Sequence, residues 1–419
     1  MKIDAIIVIA FITIFLTENL FGWGLLQDKQ FILFSVFLIL AYLISDLFYL
    51  LTKKRWLVKF KIFLLLSFIA VAVFGATLSF IFLRNKTHVT GFINDSAIQT
   101  EIAGRFLLLG KNPYAETYTN TDLAQWRYKD EANNIVNPAL FQNVTPPLTI
   151  ILSSLGFRLF SQFVGWFDIR VFFLLSYLSI LALGWLKFGF KNRFLIFISL
   201  IGLNPPFLNS MMRGTNDVLV LSFLLWSLYF LEKKKFIPAG ILLGLGIATK
   251  QTMWFAAPFY FFFVWRKADW CSLKRFFYSC AFTMILFYLP FILWNFSALV
   301  SNLVFYVNSS PSGNYPIHPI EGYGFGRLLL ILGTVKSIYA EYPFWLWQFG
   351  LGLPFLSLLL FLQKDKMSPT SLLYSYTAFV GLIWFFNRYF LESHLAFLIV
   401  LAASSYVWSL SINKSLDNK

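Results

Sequence analysis

The chain is 419 residues long, with 58% hydrophobic and only 13% charged residues. Soluble domains rarely exceed half apolar content and do not repeat long apolar runs, so this composition excludes a soluble protein. The net charge of +15 would suggest nucleic-acid binding in a soluble protein, but the lysines and arginines cluster in short loops between apolar runs, where they set membrane orientation. We therefore expect membrane lipids, and not nucleic acid, as partners.

Histidine and cysteine are too sparse to predict a metal site. The chain has 3 histidines, scattered and without HxxH or HExxH spacing, and 2 cysteines, Cys271 and Cys280. These residues provide neither a disulfide framework nor the ligand spacing of a zinc site. The sequence therefore predicts no metal and no cofactor.

Backbone polar groups cannot be left unsatisfied in lipid, so the apolar runs must form helices. The sequence predicts an all-α polytopic membrane protein with about twelve transmembrane helices in one domain, residues 1–419. The first run is interpreted as a retained helix, because no small-residue cleavage site follows it. The predicted spans are Ile3–Leu25, Phe31–Leu51, Ile62–Leu83, Val171–Leu186, Phe194–Met211, Val218–Leu231, Ile237–Ala248, Met253–Trp265, Phe276–Trp294, Phe344–Leu362, Leu372–Phe386 and Phe390–Trp408. Within these spans, Ala239–Ala248 carries the small-residue pattern of a helix-packing face.

Basic clusters between the spans mark the cytoplasmic side and place both chain ends in the cytoplasm. Two loops then lie outside: a large first one, residues 84–145, predicted to hold amphipathic helices and the catalytic residues, and a second one, residues 297–326. Between the first outer loop and the cytoplasmic basic cluster that begins at Lys187, the chain must cross the membrane an odd number of times. Two apolar stretches, 148–163 and 171–186, occur there. The stretch 148–163 is the weaker candidate, because a proline pair begins it and Arg158 interrupts it.

Asn94-Asp95 follows the third span, at the start of the first outer loop. A fixed carboxylate just beyond the membrane is suited to deprotonate an acceptor hydroxyl while a sugar leaves its phosphate carrier, as an inverting displacement requires. The alternative is structural, because aspartate is a favoured cap for the amphipathic helix predicted over 96–109. Both interpretations stay open from the residues alone.

The segment 103–118 reads as an amphipathic helix ended by Gly110, lying along the membrane surface. Arg105 and Lys111 could contact a substrate phosphate. Alternatively, their positive charges could only attract anionic lipid headgroups. The same loop carries Glu101, which would be the next candidate for the base.

Two further junctions on the outer side carry charge. Arg213 to Asp217 precedes a helix, so Asp217 is either a cap or a residue that orients the acceptor or a metal. Lys250 lies at a tight turn between apolar spans, where a solitary cation is costly. A lipid-linked phosphate would pair with it, and snorkelling to the interface is the alternative.

The second outer loop contains His318, and the last two spans are joined through Arg388 and His394. Arg388 is suited to a bidentate phosphate contact, but it could equally pair with Glu392 four residues on. His394 fits either a catalytic group or a satisfied interfacial histidine.

These landmarks resemble the GT-C superfamily of polytopic glycosyltransferases, and most of all the family 87 mannosyltransferase-like group. The resemblance covers roughly the middle 170 residues and only loosely the segment from Asn387 to His394. The motifs that carry it are Asn94-Asp95, Leu108–Tyr114 (LLGKNPY), Thr145–Leu148 (TPPL), Arg213–Asp217 (RGTND) and Ala239–Lys250 (AGILLGLGIATK).

The resemblance implies an inverting hexosyltransferase that uses a polyprenyl-phosphate sugar donor on the outer membrane face, with a lipid or glycan acceptor. Mannose is the sugar that the family suggests. By position, the resemblance assigns the base to Asp95 and donor-phosphate contacts to Lys250, Arg213 and Arg388. The full set of predicted substrate-binding residues is Asn94, Glu101, Arg105, Lys111, Asn112, Tyr114, Arg213, Asp217, Lys250, His318, Arg388 and His394.

A transporter or flippase of a lipid-linked or small polar substrate is the alternative function. Transporters usually show repeated halves and ionisable groups at mid-membrane. Here the polar residues of interest collect at one face and the first outer loop is long, which favours an enzyme. A one-sided groove would support the enzyme, and a path through the membrane would support transport.

Overall fold

The computed structural model describes residues 29–88, 93–126, 137–305, 318–365 and 367–410, together with Val8 and Ile12. The first predicted span, Ile3–Leu25, lies otherwise outside the described residues. The described ranges are predominantly α-helical, as the sequence predicts. Their helices are α1 (Lys29–Thr52), α2 (Trp56–Ile69), α3 (Ala76–Thr87), α4 (Asp95–Leu108), α5 (Pro147–Val164), α6 (Arg170–Phe188), α7 (Asn192–Phe197), α8 (Pro205–Arg213), α9 (Asp217–Glu232), α10 (Phe236–Ile247), α11 (Ala257–Lys267), α12 (Trp270–Val300), α13 (Phe325–Ile331), α14 (Phe344–Asp365), α15 (Pro369–Phe385) and α16 (Glu392–Leu410).

Short π and 3-10 segments complete these helices and the loops between them. The π segment Ala70–Gly75 joins α2 to α3 in one continuous helix, Trp56–Thr87. The remaining segments are 3-10 turns Asp122–Gln125, Pro138–Leu140 and Gln251–Ala256, and π turns Ile198–Gly202 and Ser301–Phe305.

Seven helices of the described part are long and apolar enough to cross a membrane, or eight if the pair Asn192–Gly202 and Pro205–Arg213, bent by 54°, forms one span. The protein is therefore a multi-pass membrane protein, but the predicted number of about twelve spans is not confirmed. Four of the predicted spans form helices that are shorter than the roughly 20 residues typical of a crossing. They are α9, α10, α11 and α15, of 16, 12, 11 and 17 residues. Most of α9 is buried inside the protein, so its apolar composition reflects the core as much as lipid.

The stretch 148–163 forms the continuous helix α5 and is one of the seven apolar helices. Arg158 does not interrupt helix α5. The length of α5 therefore gives no reason to prefer α6 over α5 as the helix that crosses the membrane. The predicted packing face on α10 is also confirmed. A Cβ added at Gly240 would lie 2.4 Å from the Phe276 carbonyl oxygen, and one added at Gly244 would lie 2.8 Å from Thr283 Cβ. The two glycines therefore let α10 approach α12 backbone to backbone.

The second outer loop and the junction between α15 and α16 are joined by a parallel pair of two-residue strands. Strand β1 (Glu321–Gly322) pairs with β2 (Tyr389–Phe390). The amide of Tyr323 extends the pairing by donating to the Phe390 carbonyl at 2.9 Å. These contacts bring residues far apart in sequence to the same face of the protein.

Helix α4, which begins at Asp95, is fixed by a buried ionic network. Arg84, near the end of α3, donates to both carboxylate oxygens of Glu101 at 2.7 and 3.0 Å and to Asp168 at 2.8 Å. Arg170 donates to the same Asp168 at 2.7 and 2.9 Å, and its side chain is fully buried. The network thus joins α3, α4 and the start of α6.

Two backbone contacts extend this network to the start of α6 and to the end of α8. The Ile169 amide donates to Glu101 at 3.0 Å, and Arg170 donates to the Met212 carbonyl at 3.2 Å. Although burial opposes ionisation, the two guanidinium groups lower the pKa of Asp168 to about 2. The network contains two cations and two anions, so its charges compensate one another away from water.

Replacing Glu101 by alanine should destabilise the protein strongly, because it leaves Arg84 without its bidentate partner. Breaking a buried ion pair typically costs about 3–5 kcal/mol. The midpoint of thermal unfolding in detergent measures this effect. The control is Glu116→Ala, which removes an exposed pair with Lys111 at 3.4 Å and should cost less than about 1 kcal/mol. Equal shifts for the two variants would contradict a stabilising role for the network.

Candidate active site

Asp95 is the first residue of α4, and its carboxylate faces a cavity. Its Oδ1 accepts the Ser96 amide at 2.7 Å and its Oδ2 accepts the Asn137 side chain at 3.3 Å. Asn94, not Asp95, occupies the N-cap position, so the alternative prediction of a capping aspartate is wrong. Burial raises the pKa of Asp95 above its usual value of 3.8, and the hydrogen bonds from Ser96 and Asn137 only partly offset this effect.

The start of α4 is held against the junction between α8 and α9. The Asn94 amide donates to the Arg213 carbonyl at 2.6 Å. Gly214 follows with φ +98°, a left-handed conformation that suits glycine. Asp95 is therefore fixed relative to the junction that leads to Asp217.

The central cavity, into which Asp95 faces, has a volume of about 450 Å³. This volume lies within the range of small-molecule sites, about 300–1,000 Å³. The lining combines carboxylate, amide, hydroxyl, ammonium and imidazole groups. The polar and charged residues among them are Asn94, Asp95, Ser96, Gln99, Thr100, Asn137, Gln142, Thr145, Thr215, Asn216, Asp217, Lys250, Gln251, His318, Tyr389, Ser393 and His394.

Lys250 brings a positive charge into this cavity and already has a protein partner. Its Nζ lies 2.7 Å from Oδ1 of Asp217, whose side chain is only 4% exposed, whereas the Lys250 side chain is 25% exposed. Lys250 is therefore not the solitary cation that the sequence suggested. Because its ammonium group has three donors and remains accessible, it can contact a phosphate while it keeps the Asp217 bond.

Three rings line the cavity at the side of the second outer loop. His318 lies over Tyr389 with ring centroids 4.3 Å apart, and Tyr389 lies 5.6 Å from His394. Burial lowers the pKa of His318 to about 4, opposed by the hydrogen bond to the Pro319 carbonyl and helped by nearby Arg388. Its Nδ1 donates to the Pro319 carbonyl at 3.0 Å, and its Nε2 lies 3.6 Å from Oε1 of Glu321. His394 accepts the Leu391 amide through Nδ1.

An apolar groove adjoins the central cavity and has a volume of about 310 Å³. We call it the lipid-side groove. It shares Lys250, Gln251, Tyr389, His394 and Val144 with the central cavity. Its apolar lining comes from α14, α15 and the neighbouring turns, and comprises Trp254, Phe255, Leu303, Val304, Phe349, Leu353, Phe379, Ile383 and Trp384.

Six of the thirteen residues predicted for the site line the central cavity. They are Asn94, Asp95, Asp217, Lys250, His318 and His394. Their roles in binding or catalysis stay predictions, but the fold brings together residues from five separate stretches of the chain.

Most other predicted residues make structural contacts instead. Glu101 is buried in the ionic network, and Arg105 lies 4.7 Å above the Phe157 ring. Lys111 pairs with Glu116 at the surface. Tyr114 is buried and donates to the Thr145 carbonyl at 2.8 Å.

The motif LLGKNPY therefore folds the first outer loop onto the start of α5. Its Asn112 turns the chain by accepting the Tyr114 amide at 3.0 Å. Neither Asn112 nor Tyr114 is among the residues that line the central cavity.

Arg388 differs most from its predicted role. Its side chain is fully buried and donates to the carbonyls of His318, Ile338 (2.9 Å) and Ala340 (2.8 Å). It therefore fixes the second outer loop, and the predicted contact with a donor phosphate is wrong for this arrangement. The alternative pairing with Glu392 is also absent among the described contacts, since Glu392 accepts the Tyr323 hydroxyl at 3.3 Å. Arg213 lines a neighbouring polar cavity.

Sequence reasoning missed the groups that hold Asp95 in place. Asn137 contacts its carboxylate, and Gln99 donates to the Ala139 and Gln142 carbonyls. Asp168 and Arg170 were missed as well. Their signal is visible in the sequence, because two opposite charges interrupt a long apolar stretch, which is costly unless they are paired.

The model of glycosyltransferase family 87 matches residues 146–385, which is more than half of the chain. The chain belongs to glycosyltransferase family 87. This confirms the resemblance drawn from the sequence motifs. The match begins after Asp95, so the family membership rests on the region that contains Asp217 and Lys250 and does not itself assign the base.

Among solved structures, the family 87 chain is similar to the crystal structure of ArnT from Cupriavidus metallidurans bound to undecaprenyl phosphate. The identity is 14% and the TM-score 0.43, over 77% of this chain and 56% of that chain. The family 87 chain thus spans just over half the length of ArnT. No curated protein matches its sequence.

Replacing Gly214 by alanine should destabilise the contact between α4 and the turn after α8 in this family 87 protein. The added Cβ would lie 2.8 Å from the Ala97 Cβ in α4, and φ of +98° is strained for alanine. We expect a loss of about 1–3 kcal/mol, measured as a lower thermal midpoint. The control is Gly350→Ala in α14, where nothing lies within 4 Å of the added Cβ, and which should leave the midpoint unchanged or raise it. An unchanged midpoint for Gly214→Ala would contradict tight packing of α4 on this junction.

Proposed function

We propose that this protein transfers a hexose from a polyprenyl-phosphate donor to a lipid or glycan acceptor on the extracytoplasmic face, with inversion at the anomeric carbon. Mannose is the first sugar to test. The observation that carries the proposal is the shared cavity of Asp95 and Lys250, which continues into an apolar groove. The site thus offers a polar cavity, a cation and an apolar groove. A donor of this class has three matching parts: a polar sugar, an anionic phosphate and an apolar tail.

The positions of these groups suggest how the donor would bind. The phosphate would contact Lys250, which lines both the central cavity and the lipid-side groove. The tail would then lie along the aromatic and aliphatic side chains of the groove, between α14 and α15. The sugar would occupy the central cavity, whose amide and hydroxyl groups can bond to its hydroxyls.

Asp95 would act as the general base in the displacement. The acceptor oxygen attacks the anomeric carbon, its proton passes to the Asp95 carboxylate, and the bond from the sugar to the phosphate oxygen breaks. The leaving polyprenyl phosphate gains the negative charge, which the Lys250 ammonium group stabilises. The partial burial that raises the pKa of Asp95 also makes it a stronger base.

The proposed chemistry needs no metal or other cofactor, because the leaving group is already a stable phosphate and an ammonium group lies beside it. Among the residues that the structure describes, no three His, Cys, Asp or Glu side chains form a group suited to hold a metal. Independence from metal stays a prediction, and it is tested by adding a chelator to the transfer assay.

Asp95→Asn should lower kcat by about 10²–10⁴-fold, because the amide cannot accept the hydroxyl proton, while donor binding persists. The measurement is transfer of radiolabelled sugar from polyprenyl-phosphate donors by purified protein. The matched control is Asp122→Asn, an exposed aspartate of the same outer loop, which should retain wild-type turnover. Full activity of Asp95→Asn would move the base to another group, and a wild type that transfers from none of these donors would favour the transporter.

The pH profile of kcat/KM should show an acidic limb above the range of an ordinary aspartate, because the base must be deprotonated and its pKa is raised. Asn137→Ala should move this limb to still higher pH, since the lost hydrogen bond favours the charged carboxylate. Asp122→Asn should leave the limb in place. A limb that stays fixed in Asn137→Ala, or that persists in the residual activity of Asp95→Asn, would assign it to another group.

A further inference from the structure

A second polar cavity adjoins the central one and shares no lining residue with the lipid-side groove. Its volume is about 530 Å³, large enough for a sugar unit or more. We call it the α8–α16 cavity, after the two helices that provide most of its walls. Its lining residues are Asn94, Pro206, Asn209, Ser210, Arg213, Thr215, Gly322, Tyr323, Leu391, Glu392, Ser393, Leu395, Ala396 and Ile399.

The lining of the α8–α16 cavity has the chemistry that recognises carbohydrate. Asn209, Ser210 and Arg213 provide amide, hydroxyl and guanidinium groups along α8, and Glu392 provides a carboxylate from α16. Tyr323 has a side chain that is 58% exposed, and its ring offers an apolar face for a pyranose. This lining contrasts with that of the lipid-side groove, which is mainly aromatic and aliphatic.

The lipid-side groove and the α8–α16 cavity meet the central cavity at different residues. The α8–α16 cavity shares Asn94, Thr215, Leu391 and Ser393 with it, whereas the groove shares Lys250 and its neighbours. No lining residue is common to the groove and the α8–α16 cavity. The central cavity is therefore approached from two sides, one apolar and beside Lys250, the other polar and beside the residue that precedes Asp95.

We infer that the α8–α16 cavity is the acceptor site and that the acceptor is a carbohydrate. The inference rests on the proposed function, because an inverting displacement requires the acceptor hydroxyl on the face opposite the leaving phosphate. The cavity adjoins Asn94, so an acceptor bound there reaches the central cavity beside the base. A sugar hydroxyl supplies the attacking oxygen, and its proton passes to Asp95 as the bond to phosphate breaks.

A binding experiment tests the cavity without any need for turnover. Ser210→Cys is introduced into full-length protein that also carries Cys271→Ser, which removes the exposed native thiol and leaves the buried Cys280. The rate of maleimide labelling is measured with methyl mannosides, methyl glucosides and their disaccharides, and separately with a long-chain prenol. We expect the glycans to slow labelling and the prenol to have no effect. Protection by the prenol alone would overturn the carbohydrate assignment.

A kinetic experiment tests the role as acceptor site. Asn209→Ala and Tyr323→Ala should each raise the KM for a glycan acceptor about tenfold, the factor that corresponds to about 1.4 kcal/mol, with the donor KM unchanged. Gln348→Ala removes an amide from the lipid-side groove and should instead raise the donor KM. Unchanged acceptor KM in both α8–α16 variants, or equal changes in donor and acceptor KM, would overturn the inference.

The two experiments separate failure of this inference from failure of the proposed function. Glycan transfer by the wild type without protection of Ser210→Cys would reject the acceptor site and leave the transferase intact. Protection without transfer from any polyprenyl-phosphate sugar would reject the transferase, and the acceptor role with it. Protection together with the selective rise in acceptor KM supports both.

Discussion

The ionic network of Arg84, Glu101, Asp168 and Arg170 is the interaction on which the position of α4 and the candidate base depends. It fixes the end of α3, the middle of α4 and the start of α6 around one point from which water is largely excluded. A buried charge without a partner is costly, so each member constrains the positions of the others. Apolar packing alone tolerates sliding and repacking, whereas paired guanidinium and carboxylate groups require defined geometry.

The ionic network also fixes the candidate base, because Asp95 lies on the same helix, α4, as Glu101. Glu101 lies less than two turns after Asp95 on α4, and Arg170 donates to the Met212 carbonyl next to the residue that accepts the Asn94 amide. The network is therefore connected to both sides of the first helical residue. A base must stay within hydrogen-bond reach of its acceptor, and the connections give Asp95 a fixed position without a charged partner that would lower its pKa.

The Asp95 carboxylate and the Asp217–Lys250 ion pair occupy different parts of the cavity lining. The described contacts of Asp95 are neutral donors, whereas Asp217 pairs with Lys250 elsewhere in the cavity lining. A carboxylate without a cation remains basic, and a cation with one carboxylate remains able to bind a second anion. The same cavity can thus accept a proton at one group and bind phosphate at another, as the proposed displacement requires.

Some features follow from sequence because they depend on local composition. The apolar runs gave the helical membrane class, the glycines of Ala239–Ala248 gave a helix-packing face, and the motifs from Thr145 to Lys250 gave the family. Asn94-Asp95 at the start of a helix was also visible from the order of polar and apolar residues. The number of spans was not, because a core helix such as α9 and a lipid-exposed helix can have the same composition.

The roles of single charged residues were decided only by tertiary structure. Arg388 and Lys250 look alike in the sequence, each a cation between apolar spans. The fold surrounds Arg388 with the backbone carbonyls of residues 318, 338 and 340, and it places Lys250 in an accessible cavity beside Asp217. Whether a charge binds substrate or stabilises the fold depends on which distant groups surround it. Sequence determined where the charges occur, and the long-range contacts decided their partners.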